Sequence, residues 1–74
     1  VVHPREVYAD AITDRAAGII CAHNHPSGHV TPSGEDRDVT AMLSGAGRIL
    51  GIPLLDHIIF SERGYYSFQE QGEV

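Results

Sequence analysis

Two histidines two positions apart, His23 and His25 in the stretch "AHNHPSG", are the residues of this chain best placed to do chemistry. At the end of a strand, residues i and i+2 point to one face, so two imidazoles can converge on an ion without distorting the backbone. A third donor, Asp36, lies eleven residues on, in the first turn of what reads as a helix. Two imidazoles and one carboxylate are a usual catalytic zinc set, with a fourth position left for water. A soft-ligand site would need more thiol than the single Cys21 supplies. Asp36 also has a plainer reading. "SGED", Ser33 to Asp36, is a capping-box pattern, with Ser at the N-cap and an acid three residues later. The two readings coexist if the carboxylate uses both its oxygens.

The elements that must position these groups follow from periodicity. "HPREVYADAITDRAA" reads as a helix, with Pro4 in the first turn, Val7, Tyr8, Ala11 and Ile12 as its apolar stripe, and Gly18 ending it. "GIICAHNH" is a short apolar run and reads as a buried strand. "PSGHVTPSG" is a loop by composition. Ser33 opens a second helix with Val39, Met42, Leu43, Ala46, Ile49 and Leu50 as its stripe and Gly51 at its end. Gly45 and Gly47 each cost that helix about 1 kcal/mol relative to Ala. "IPLLDHIIF" is a strand, "SERG" a turn, "YYSF" a last strand, and "QEQGEV" a tail expected to fray. The order predicts an α/β fold with helices packed on a small mixed sheet, one of whose edges lies open.

Length and composition set further bounds. The 74 residues fit a single domain, and a chain this small is marginal unless a metal, a partner or more sequence supports it. The formal net charge of −5, with five scattered arginines and no lysine, argues against a nucleic-acid footprint. One cysteine excludes an intrachain disulfide and is compatible with a reducing, cytoplasmic setting. No apolar run approaches the roughly 20 residues that span a bilayer. "VVHPREV" reads as neither a signal peptide nor a lipidation site.

The joint pattern of His23, His25, Ser33 and Asp36 (H-x-H, seven residues, Ser, two residues, Asp) resembles the metal-binding signature of JAB/MPN domains, the JAMM metalloproteases. "VHPREV", "AHNHPSG", "TPSGED", "LGIPLLDHII" and "GYYSF" each resemble the RadC family, whose label is DNA repair. The resemblance covers nearly the whole chain. It implies a partial JAB/MPN domain over residues 1–74, with cytidine-deaminase-like α-β-α layers and its N-terminal strands missing. It also implies Zn²⁺ held by His23, His25 and Asp36, with Ser33 as the catalytic serine that bonds the water or the developing oxyanion. The activity implied is hydrolysis of a peptide or isopeptide bond in a peptide or protein substrate. The family's general base is a glutamate from an upstream strand, and no residue here matches it. Glu6 and Glu35 are poor substitutes, Glu6 because an acid in a first helical turn suits the helix dipole.

The alternatives are a catalytically inactive metal-binding or protein-interaction module, and, less favoured, a protein acting on DNA directly. The letters "HNH" do not make a nuclease, whose name refers to dispersed residues. Among the remaining residues, His3 reads as a cap, His29 as a solvated loop residue, Cys21 as a small core residue and His57 as a structural histidine or one supporting a metal ligand. Asn24 points away from the histidine pair, and Tyr65, Tyr66 and Phe68 read as sheet packing. The open sheet edge would invite a homo-oligomer.

Overall fold

The computed structural model describes residues 3–74. The stretch "VVHPREV", read as neither a signal peptide nor a lipidation site, begins outside them. Helix α1 spans Pro4–Thr13, strand β1 Ile19–Asn24, helix α2 Gly34–Leu50, strand β2 Leu54–Ser61 and strand β3 Gly64–Ser67. The sheet order is β1-β2-β3, with β1 and β2 parallel and β2 and β3 antiparallel. This is the α/β arrangement expected, two helices on a small mixed sheet. The parallel pair with α2 as its crossover places the start of α2 above the end of β1, where the histidines leave the strand.

Both helices feed one core. Tyr8 and Ala11 of α1, Leu43 of α2, and Ile52 and Leu54 are buried together, with Val7, Ala16, Ile19, Cys21, Val39 and Ala46 packed around them. The Tyr8 hydroxyl shares its one proton between the carbonyls of Leu43 and Ile52, at 3.0 and 3.1 Å, which satisfies a polar atom the core would otherwise strand. Gly47 makes this approach feasible, because a Cβ there would collide with the Tyr8 hydroxyl and the Ile52 carbonyl. Nothing crowds Gly45.

Several expectations need correction. Helix α1 stops at Thr13, well before Gly18. Arg15 takes a left-handed φ of 55°, and the Arg15 and Ala16 amides donate back to the Ile12 and Ala11 carbonyls. That is a Schellman ending built without glycine. Strand β1 is not buried on both faces: Ile20 is 61% exposed, and Ala22, Phe60 and Tyr65, on the same side of the sheet, are exposed as well. The α2 stripe is rotated from the expected one. Thr40, Leu43 and Gly47 are buried, whereas Met42, Ile49 and Leu50 face outward, as does Ile12 of α1.

The tail is tied down. Phe68 is buried, the Gln71 and Glu73 amides donate to the Ser67 and Phe68 carbonyls, and Glu73 pairs with Arg37. Asp56 holds the start of this segment. Its carboxylate accepts from the Ser67 hydroxyl at 2.6 Å and from the His57 and Gln69 amides at 2.7 and 2.9 Å.

One irregularity in β2 matters for the site. Ile19 pairs with Leu54, but Ile20 pairs with Asp56, so Leu55 is an extra residue. A bulge of this kind shifts the face of every later side chain. Leu54 and His57, an odd number of positions apart, therefore both face the helices and are both buried.

Candidate metal centre

His23 and His25 project from the end of β1 to one side, as period-2 geometry requires. The Gly28 turn, at φ 89°, brings the chain back toward His25, with the Gly28 amide donating to the His25 carbonyl at 3.1 Å. Ser33 caps α2 in extended geometry. Its Oγ accepts from the Asp36 amide at 3.0 Å, and its own amide donates to Asp36 Oδ2 at 2.8 Å. This reciprocal box fixes the Asp36 side chain and turns it toward the strand end.

Four donor atoms on three side chains then meet. His23 Nε2 lies 3.0 Å from Asp36 Oδ1, His25 Nε2 lies 3.2 Å from Asp36 Oδ2, and the two Nε2 atoms are 3.1 Å apart. The cap and the site share one carboxylate, as the sequence allowed. The group is the only set of three or more His, Cys, Asp or Glu side chains among the described residues able to hold a metal ion. Burial pushes the Asp36 carboxyl up, but the Ser33 hydrogen bonds and the two imidazoles outweigh it, so its pKa falls below the usual carboxylate value.

The outer nitrogens are engaged too. His25 Nδ1 is 2.9 Å from the His29 carbonyl oxygen, which can only accept, so Nδ1 carries the proton and Nε2 presents a lone pair inward. His23 Nδ1 is 2.9 Å from Nε2 of the buried His57. His57 stacks on Phe68 with ring centroids 5.0 Å apart, and its Nδ1 is 2.5 Å from the Thr40 hydroxyl. Burial first, then the His23 charge, push the His57 pKa down.

Lone pairs converging at about 3 Å repel one another unless a cation or proton sits between them. A tetrahedral zinc with bonds of about 2.0–2.1 Å separates its ligand atoms by roughly 3.3 Å. The two Nε2 atoms, 3.1 Å apart, and the oxygen nearest each ring, at 3.0 and 3.2 Å, lie near that span, and one donor atom from each residue lies within 4.8 Å of the other two.

The His29 side chain is exposed and contributes only its carbonyl. Cys21 is half-buried, stays outside the three-residue group and lines a cavity of about 270 Å³ together with His23, Glu35, Asp36, Val39, Leu43 and His57. Burial pushes its thiol up. Glu35 is exposed on that cavity's wall, and Glu6 is exposed in the first turn of α1. His3 is the N-cap of α1, accepting from the Arg5 amide at 3.2 Å. Thr40 was not among the candidates. Its position four residues after Asp36, one turn along the same helix face, is the signal that could have found it.

A model of the RadC-like JAB domain matches residues 1–73 of the chain. The chain belongs to this family. Among curated relatives, the RadC-like domain here is similar to the UPF0758 protein of Methanospirillum hungatei JF-1, with 62% identity over 97% of this chain and 32% of the relative. It is 55% identical to the UPF0758 protein of Thermotoga maritima over all of this chain and 33% of the relative. It is 57% identical to that of Geobacillus sp. strain WCH70, again over all of this chain and 33% of the relative. The chain thus spans about a third of the length of the curated relatives it matches. No helix among the described residues is long and apolar enough to cross a membrane.

Proposed function

We propose that this RadC-like JAB domain carries the metal centre of a zinc-dependent hydrolase of JAMM type. The observation that supports this reading is the convergence of His23 Nε2, His25 Nε2 and the Asp36 oxygens at 3.0–3.2 Å, with both imidazoles held from behind. Two imidazoles and a carboxylate neutralise part of a divalent charge and leave a coordination position for water. Zinc, when bound, would lower the pKa of that water toward about 7 and polarise the scissile carbonyl.

The chain's own residues have separable tasks in this reading. His23 and His25 aim their ring lone pairs. Asp36 supplies the anionic donor, held in place by its bond from the Ser33 amide. Ser33 Oγ accepts from the Asp36 amide and keeps its own proton, which is free to donate to the oxyanion that develops on the substrate. The cavity beside the group, with apolar walls from Val39 and Leu43, would seat substrate and exclude water. The substrate class is a peptide or isopeptide bond, and the general base is a glutamate outside the residues described here. Direct action on DNA fits poorly with the net charge of −5.

The test is metal content followed by turnover. Metal-free chain titrated with zinc should take up one equivalent, and the full-length protein should hydrolyse isopeptide-linked or peptide reporters only when loaded. Zinc uptake without turnover would leave a metal-binding interaction module. No uptake would remove the hydrolase reading altogether.

A further inference from the structure

We propose that Thr40 and His57 form a one-way hydrogen-bond relay that fixes the tautomer of His23 and thereby positions it for metal. The inference rests on the metal reading above and adds two positioning residues to it.

The direction of the relay follows from its last acceptor. Thr40 Oγ1 lies 2.8 Å from the Asp36 backbone carbonyl, which can only accept, so the single hydroxyl proton goes there. The hydroxyl oxygen must then accept from its other neighbour, His57 Nδ1, at 2.5 Å. With its proton on Nδ1, His57 presents a lone pair at Nε2. That lone pair accepts from His23 Nδ1 at 2.9 Å. His23 is left with a bare Nε2, the atom 3.0 Å from Asp36 Oδ1. Each link leaves its neighbour one role.

The relay also closes a ring. It runs from His23 to His57, on to Thr40 and the Asp36 carbonyl, and would return to His23 through an ion or proton held between Nε2 and the Asp36 carboxylate. Two prospective ligands on different elements, β1 and α2, are thus braced against each other from behind. His25 has a simpler support, a single carbonyl from the loop. The burial of His57 and Thr40, at 3% and 4% exposure, keeps water from replacing either link. The bulge at Leu55 brings His57 to this face. Partners behind metal-binding histidines commonly govern affinity by ten- to hundredfold.

The experiment uses the full chain labelled with 15N. With and without zinc, ring-nitrogen NMR should show His57 protonated at Nδ1 and bare at Nε2, with His23 protonated at Nδ1, and a His57 proton at Nε2 would overturn the relay. Thr40→Val should release the tautomer preference of both rings and weaken zinc binding, measured by competition with a chromophoric chelator. Thr40→Ser should restore both readouts. His57→Phe, which keeps the stacking on Phe68, should weaken zinc binding about ten- to hundredfold. Dispersed amide spectra confirm that each variant is folded, and the wild-type tautomer measurement decides the direction even if one is not. Tight zinc binding left unchanged by Thr40→Val and His57→Phe would overturn the relay and spare the metal reading. A wild-type chain that binds no zinc would instead sink the metal reading itself.

Discussion

The Tyr8 hydroxyl sits against the bare Cα of Gly47, and from there bridges the carbonyls that end one turn of α2 and begin the approach to β2. A methyl group at residue 47 has no room, whereas one at residue 45 meets nothing within 4 Å. Gly47→Ala should therefore destabilise the fold by about 1–3 kcal/mol through overpacking. Gly45→Ala should stabilise it by up to about 1 kcal/mol through helix propensity. Chemical denaturation of the two variants checks this, and equal effects would refute the packing argument.

Acid should unfold the chain through two carboxylates. Asp36 and Asp56 are both held below the ordinary carboxylate pKa; burial raises each, and hydrogen bonds, from Ser33 and from Ser67, Gln69 and His57 respectively, overcome it. A group whose pKa is depressed by folding stabilises the native state above its unfolded pKa of about 4, and that stability is lost as pH falls through the folded value. Melting temperature should hardly change from pH 7 to about 5 on this account and then drop. Asp56→Asn should cost about 1 kcal/mol at neutral pH and flatten the acid limb. A variant with an undiminished acid limb would exclude Asp56 as a contributor.

Zinc should stabilise the fold by mass action. At a hundred times its dissociation constant, a ligand that binds only the native state adds about 2.7 kcal/mol. Asp36→Asn should abolish the gain, because an amide offers no anionic donor. Thermal melts with and without zinc, on wild type and variant, measure the difference directly.

Ser33 should show two separable losses. Ser33→Ala removes the N-cap acceptor and should cost about 1 kcal/mol of stability. If the hydroxyl also donates to an oxyanion, the same change should lower any kcat of the full-length protein on an isopeptide or peptide reporter by about 10²–10³. Ser33→Asp keeps a capping oxygen but offers no proton. It should recover most of the stability and none of the rate.

The legible parts of this protein were those with local causes. His23 and His25 share a face because strand period is two, and Ser33 and Asp36 meet because a capping box spans three residues. The same logic located α2 and its glycine ending, with Gly51 at φ 73°. The misread parts depend on distant packing. Arg15 occupies the left-handed position that composition assigned to Gly18, since the core holding Ala11 and Ala16 sets where the chain must turn. Met42, Ile49 and Leu50 fit a helical stripe as well as Thr40 and Gly47 do, and what packs on the helix decides between them, Tyr8 and Ile52 at Gly47 and His57 at Thr40. Strict alternation from Leu54 would turn His57 away from the site, and the bulge that reverses this leaves no unambiguous mark in "PLLDH".

The parallel pairing of β1 with β2 has a consequence for the order of assembly. His23, His25 and Asp36 lie within fourteen consecutive residues, whereas His57 joins them from 34 positions beyond His23. Contacts that close short loops form early, and those that wait on a crossover form late. The front of the cluster can therefore gather in a nascent chain while its rear wall is still absent. Partial opening of β2 would run this in reverse, leaving the two histidines and Asp36 as a loose local cluster that slackens before the chain has fully unravelled.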